Sequence, residues 1–157
     1  MVDADSEHIP DEQLIREFGL LLSATTRLER IVGRALERRA GITHVMLEVL
    51  LRLDDGCRSM SHLAQEMILT SGGMTRLVNR MEGAGLVVRA TSPTDRRVQQ
   101  VSLTGRGRET LRRALLVHSE VLREFFSGPL SDGQRAALEE SLLLLEARGR
   151  RELPSLG

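Results

Sequence analysis

At 157 residues, 41% of them apolar, with a formal net charge of zero from 22 basic and 22 acidic side chains, the chain suits one unit with a real core. A single cysteine, Cys57, excludes an internal disulfide, the four scattered histidines have no zinc-type spacing, and no apolar run approaches the roughly 20 residues of a membrane span. The segment from Met1 to Asp11 is acidic rather than basic and then apolar, so a soluble, cytoplasmic protein is expected.

From Asp11 to about Arg39, apolar or small residues at Leu14, Phe18, Leu21, Thr25, Leu28, Val32 and Ala35 step alternately by four and three, a heptad-like helical stripe. Such a helix is roughly 40 Å long at about 1.5 Å per residue, more than a small core can cover, so another chain is expected against it. Gly41 ends it, Thr43 caps the next helix, and Val45, Met46, Val49, Leu50 and Leu53 form that helix's expected buried face. Asp54, Asp55 and Gly56 make the following turn. Ser61 is the expected N-cap of a short helix burying Leu63, Ala64 and Met67, and Thr70 the N-cap of another running to about Glu82.

Gly83 and Gly85 stop that helix. Two short β-rich runs follow, Leu86 to Arg89 and Val98 to Leu103, separated by turn residues that include Pro93, Thr94 and Asp95, and they read as a hairpin or wing. Thr104 caps a long helix with Leu111, Leu115, His118, Leu122 and Phe125 on its expected apolar stripe. Gly128 and Pro129 break it. Ser131 and Gln134 form a capping box for a last helix with Leu138, Leu142 and Leu145 on one side.

The zero net charge is uneven along the chain. Between Ser71 and Arg113 nine arginines face three carboxylates, a net +6, while the segment before it carries −4 and the segment after it −2. Every basic residue other than histidine is arginine, whose planar fork suits phosphate and base recognition; a merely solvated charged surface is the alternative. On the helix from Ser71, Met74, Leu77, Val78 and Met81 share one arc, while Gly72, Thr75, Arg76 and Asn79 point the other way with Arg80 beside them. Small residues near the N-terminus with a hydroxyl, a guanidinium and an amide behind them fit a helix laid in a major groove. At the wing's turn, Arg96 and Arg97 are placed to enter an adjacent minor groove, and Asp95 to hold one guanidinium by a charge-assisted pair.

The order helix, helix, turn, helix, wing and the words LAQEMILTSGGMTRLVNRMEGAGLVVRATSPTDRRVQQVSLTGRGR resemble the MarR family of bacterial regulators, from about Ser59 to Arg108 without a gap. The flanking long helices agree with the family's dimerisation elements. The resemblance implies a mainly α fold with a small β wing: a dimerisation helix over 1–40, a winged helix-turn-helix DNA-binding domain over 41–108 and dimerisation helices over 109–157. It implies a homodimeric transcriptional regulator, a repressor and not an enzyme, on a pseudo-palindromic operator in double-stranded DNA, with no cofactor or metal. Thr70, Ser71, Gly73, Thr75 and Arg76 match family positions that touch DNA, and Arg97 matches the wing-tip arginine, with Asp95 at the family's Asp-x-Arg spacing. Asn79 and Arg80 match backbone contacts. Gly72 and Gly73 stand where larger polar residues are common, which leaves more of the specificity to DNA shape.

Family members often release DNA on binding a small aromatic or phenolic ligand between the dimerisation helices and the reading head. The sequence, which has no Trp or Tyr, does not identify such a ligand. Two other readings are open: redox sensing through Cys57, beside Arg58 but opposed by Asp54 and Asp55, and a winged-helix protein-interaction module without specific DNA binding. His44, His62 and His118 fall on three separate helices without ligand spacing. No nucleophile elbow, phosphate loop or zinc motif supports catalysis.

Overall fold

A computed structural model describes residues 11–67, 69–92, 94–95 and 97–152. Helix α1 (Glu12–Ala40) ends at Gly41, whose left-handed φ of 71° only glycine adopts without strain. Helix α2 (His44–Arg52) is capped by Thr43, which accepts the Met46 N–H. A two-residue strand β1 (Arg58–Ser59) leads into α3 (Met60–Glu66), and α4 (Ser71–Gly83) follows. Strands β2 (Val87–Thr91) and β3 (Gln99–Leu103) form the wing, and α5 (Gly105–Leu122) runs through a π-helical turn at Arg123–Ser127 before α6 (Asp132–Glu152).

The sheet has the order β1-β3-β2, all antiparallel, with Arg58 opposite Val101 and Arg89 opposite Val101 from the other side. Its inner residues Val87, Val101 and Leu103 join one core with Met46, Leu47 and Leu50 of α2, Leu63 of α3, and Met74, Leu77, Val78 and Met81 of α4. Val32, Leu36 and Ala40 of α1 and Leu111, Ala114 and Val117 of α5 belong to the same cluster. Only the last third of α1 is therefore covered by its own chain. Leu14, Ile15 and Phe18 are about 60% exposed, as a helix reaching past its own core requires.

Several sequence expectations shift. In α2 it is Leu47, not Val45, that is buried, and Val45 faces outward. The cap of α3 is Ser59, which accepts the His62 N–H at 3.2 Å, because pairing with β3 holds Arg58 and Ser59 extended up to that residue. Met67 is only half-buried. The wing strands begin one residue later than expected, and β2 extends to Thr91. On α5 the buried face is Gly107, Thr110, Leu111, Ala114, Val117 and Val121; Leu115, His118 and Leu122 are half-buried and Phe125 is exposed. Small residues on the inward face let α5 lie close to its neighbours, so the larger apolar side chains mark its flank. The expected capping box of α6 forms: the Ser131 N–H donates to Gln134 Oε1 at 2.9 Å, and the Gln134 N–H to Ser131 Oγ at 3.3 Å.

Two contacts seat α5 on the reading head. Thr104 caps α5 by accepting the Gly107 N–H at 2.9 Å, and its hydroxyl donates to the Gly85 carbonyl at 2.6 Å. A Cβ on Gly107 would lie 2.0 Å from the Leu86 carbonyl oxygen, so the helix approaches that backbone as only glycine allows. Gly107→Ala is expected to destabilise the fold by about 2 kcal/mol or more through forced separation. A thermal unfolding midpoint equal to the parent's would refute this close approach.

His118 of α5 stacks on His44 at the start of α2, ring centroids 5.9 Å apart. Burial, and then the neighbouring His44, push His118 below the ordinary imidazole value. The unfolded chain thus takes up the proton more readily than the folded one, so this contribution to stability is complete above about pH 6.5 and is lost as pH falls through and below it. The thermal midpoint is expected to drop between pH 7.5 and 5.5, and His118→Leu to flatten that drop; identical slopes in the two proteins would rule out this histidine as its source.

Candidate nucleic-acid interface

Thr70, in extended conformation, caps α4 by accepting the Gly73 N–H on its hydroxyl at 3.1 Å. A Cβ on Gly73 would sit 3.2 Å from that hydroxyl, a tight contact that a shift of a few tenths of an ångström would relieve. Nothing lies within 4 Å of a Cβ placed on Gly72, so the protein's own packing gives no reason for that glycine. Thr75 donates its hydroxyl proton to the Ser71 carbonyl at 2.9 Å, which leaves its oxygen lone pairs facing outward as acceptors.

Met74, Leu77, Val78 and Met81 are buried, and the opposite side of α4 is presented to solvent, as the helical period requires. Ser71, Thr75, Arg76, Asn79 and Arg80 are exposed with Thr70, while Gly73 is half-buried. In the wing, Asp95 and Arg97 are exposed; Arg96 lies outside the described residues. Asp95 Oδ1 accepts the backbone N–H of Arg97 at 2.9 Å, so the aspartate orients the arginine through the main chain where a side-chain ion pair was expected.

One residue of the recognition face, Thr75, and the wing open on one cleft. Thr75 and Arg97 line it together with Ser59, Ser61, Arg89 and Gln99. Of these, Ser59, Ser61, Arg89 and Gln99 were not singled out from sequence as parts of a binding face. Ser59 and Ser61 reach it only because β1 pairs with β3, a contact with no local signal. Cys57 is exposed, with its thiol 3.5 Å from Gln100 Oε1 on β3. Among the described residues no cluster of three or more His, Cys, Asp or Glu is placed to hold a metal ion, and no helix is long and apolar enough to cross a membrane.

A model of the MarR family matches residues 40–98, which contain α2 to β2 but not β3. A MarR family transcriptional regulator from Streptomyces coelicolor, solved in complex with DNA, is 31% identical, superposes with a TM-score of 0.78, and covers 87% of this chain and 90% of its own. The chain belongs to the MarR family. Among curated relatives, the HTH-type transcriptional regulator YsmB of Bacillus subtilis is 28% identical over 97% of this chain and all of its own length. The HTH-type transcriptional regulator PapX of Escherichia coli is 32% identical, but that match spans 59% of this chain and 58% of PapX. The MarR fold, mainly helical with a three-stranded antiparallel wing sheet, agrees with the winged helix read from sequence.

Gly72 gives this interface a separable test. Replacing a helical glycine by alanine should raise stability by up to about 1 kcal/mol where space is open. Gly72→Ala is therefore expected to raise the unfolding midpoint while weakening binding to any duplex the helix approaches closely. Tighter or equal duplex binding would remove the close-approach account of this glycine.

Proposed function

We propose that this MarR-type regulator is a repressor that binds a pseudo-palindromic operator as a homodimer, with α4 in the major groove and the wing in the adjacent minor groove. The observation that carries the reading is the shared cleft, onto which Thr75 of the outer face of α4 and the wing's Arg97 both open. The DNA complex of the Streptomyces coelicolor relative supports the same partner class. Thr70, Ser71, Gly73, Thr75 and Arg76 are proposed to meet the groove, Asn79 and Arg80 the phosphate backbone, and Asp95, Arg96 and Arg97 to form the wing contact. Arg97→Ala is expected to weaken binding to the intergenic duplex upstream of the gene by roughly tenfold or more in an anisotropy titration, a loss of about 1.4 kcal/mol or more. Unchanged affinity would sink the wing assignment. Arg76→Ala separates two roles: relaxed sequence preference marks base reading, whereas equal weakening on all duplexes marks a phosphate grip.

Residues 1–40 and 109–157 are proposed as the dimerisation elements and 41–108 as the reading head, with half-sites roughly 34–36 Å apart. Support comes from apolar surface that the chain leaves uncovered: Leu14, Ile15 and Phe18 on α1, and Leu143, Leu144 and Leu145 on α6, each 58% exposed or more. Light scattering is expected to return twice the mass of one chain, and a monomer at micromolar concentration would overturn the dimer. Release by a small aromatic or phenolic ligand belongs to the same proposal and rests on family membership alone.

A further inference from the structure

We propose that Glu82 is a positioning residue: it clips the wing to the end of the recognition helix through Arg89, and so sets the spacing at which α4 and Arg97 can engage adjacent grooves. This rests on the operator-binding reading above. Glu82 lies in the last turn of α4, and Arg89 is the third residue of β2. The carboxylate accepts three hydrogen bonds from that one residue: Arg89 N–H to Oε1 at 3.1 Å, Nε to Oε2 at 3.0 Å and Nη2 to Oε2 at 2.5 Å. Both side chains are only about one-third exposed, 35% for Glu82 and 29% for Arg89. The bonds from Arg89 hold the Glu82 carboxyl below the usual carboxylate value, so the clip stays charged at neutral pH.

The position of the clip is what gives it this role. Among the described residues, these are the only side-chain hydrogen bonds that join α4 to the sheet. Below them the wing is anchored by the buried Leu86, Val87 and Leu103, and Val101 is buried at their level. Above them, the pairs Ala90–Gln100 and Thr91–Gln99 carry the hairpin out to the turn that holds Arg97, and both Ala90 and Thr91 are exposed. Among the described residues the clip is thus the outermost side-chain hydrogen-bonded link between α4 and the wing, while Ser59 of β1 pairs with Gln100 of β3 one step further out. A two-groove grip has to be preorganised, because a wing free to swing would lose part of the advantage of attaching its arginine to the same rigid body. Arg89 also faces the cleft, yet two of its guanidinium nitrogens are bound to Glu82, so holding the wing occupies much of its hydrogen-bonding capacity.

The sign of the effect makes the test decisive. Removing a negative charge beside a DNA interface should by itself tighten binding. Glu82→Gln is expected instead to weaken it by about fivefold to tenfold, because the clip is lost. The full-length chain, Glu82→Gln, Arg97→Ala and the double variant are titrated on the upstream intergenic duplex and on a scrambled one, with thermal unfolding confirming that each is folded at the assay temperature. Arg97→Ala should weaken binding by roughly tenfold in the parent but by less than about threefold in the Glu82→Gln background, a coupling that general destabilisation would not produce. If Glu82→Gln does not fold, Arg89→Gln, which removes both guanidinium bonds, takes its place in the cycle with the same expected coupling. A parent without preference for the intergenic duplex overturns the operator reading and the clip's role with it. A parent with that preference, together with Glu82→Gln binding as tightly as the parent or Arg97→Ala having equal effect in both backgrounds, overturns the clip alone.

Discussion

The reading head depends on one stretch of backbone, the Gly85–Leu86 turn, where the recognition helix ends, the wing begins and the long helix α5 takes its seat. Gly85, at φ 71°, supplies the left-handed residue that ends α4. Its N–H bonds to the Glu82 carbonyl and the Leu86 N–H to the Met81 carbonyl, both at 2.9 Å, the paired pattern of a Schellman motif. The same turn presents outward carbonyls: Gly85 receives the Thr104 hydroxyl, and Leu86 receives the Thr104 N–H at 3.1 Å while Gly107 lies against it. Three elements thus share one short turn. Helix α5, α4 and the base of the wing are therefore joined at this turn through a few hydrogen bonds.

Much of this head was legible because its signals are local. Thr70, Thr104 and Ser131 each announce a helix start, with the side-chain caps found in place, and Gly41 and Gly85 mark turns that need a positive φ. The inward face of α4 followed from helical period alone. What could not be read was set by distant partners. Strand β1 is two residues long and exists because β3 offers a free edge, and that pairing selects Ser59 over Ser61 as the cap of α3 although both are serines. On α5, the spacing of large apolar residues found Leu111 but otherwise pointed to the flank of the buried arc, because that arc also uses Gly107, Thr110 and Ala114. The link from Glu82 to Arg89 spans seven residues across a helix end and into a strand, a separation for which no helical or strand period predicts contact.

Bulk charge was the least informative quantity, and the structure explains why. Of the nine arginines in the basic window, Arg89 is held by Glu82, Arg108 donates to the Leu103 carbonyl and Arg113 to the Ala40 carbonyl. The first two secure the head to itself, and the third ties α5 to the end of α1. Arg76, Arg80 and Arg97 are exposed on the side where α4 and the wing face outward, so the footprint available to a phosphate backbone is smaller than the window's +6 but better aimed. Aim matters more than count, since diffuse positive charge gives affinity without discrimination.

The same logic of position over composition applies at the far end of the chain. Helix α6 contributes nothing to the core of the described chain, and Leu142, Leu143, Leu144 and Leu145 stand exposed in succession. At about 100° per residue they cover an arc of roughly 300°, wider than the stripe one packed helix can cover. The stripe of Leu138, Leu142 and Leu145 seen in the sequence is therefore only part of the apolar surface. A partner that satisfies α6 has to cover it from two sides, which a lone antiparallel helix cannot do but an interlaced second copy can, offering its own α1 and α6 together. In the proposed homodimer, the exposed Leu14, Ile15 and Phe18 of α1 would be covered by the same exchange.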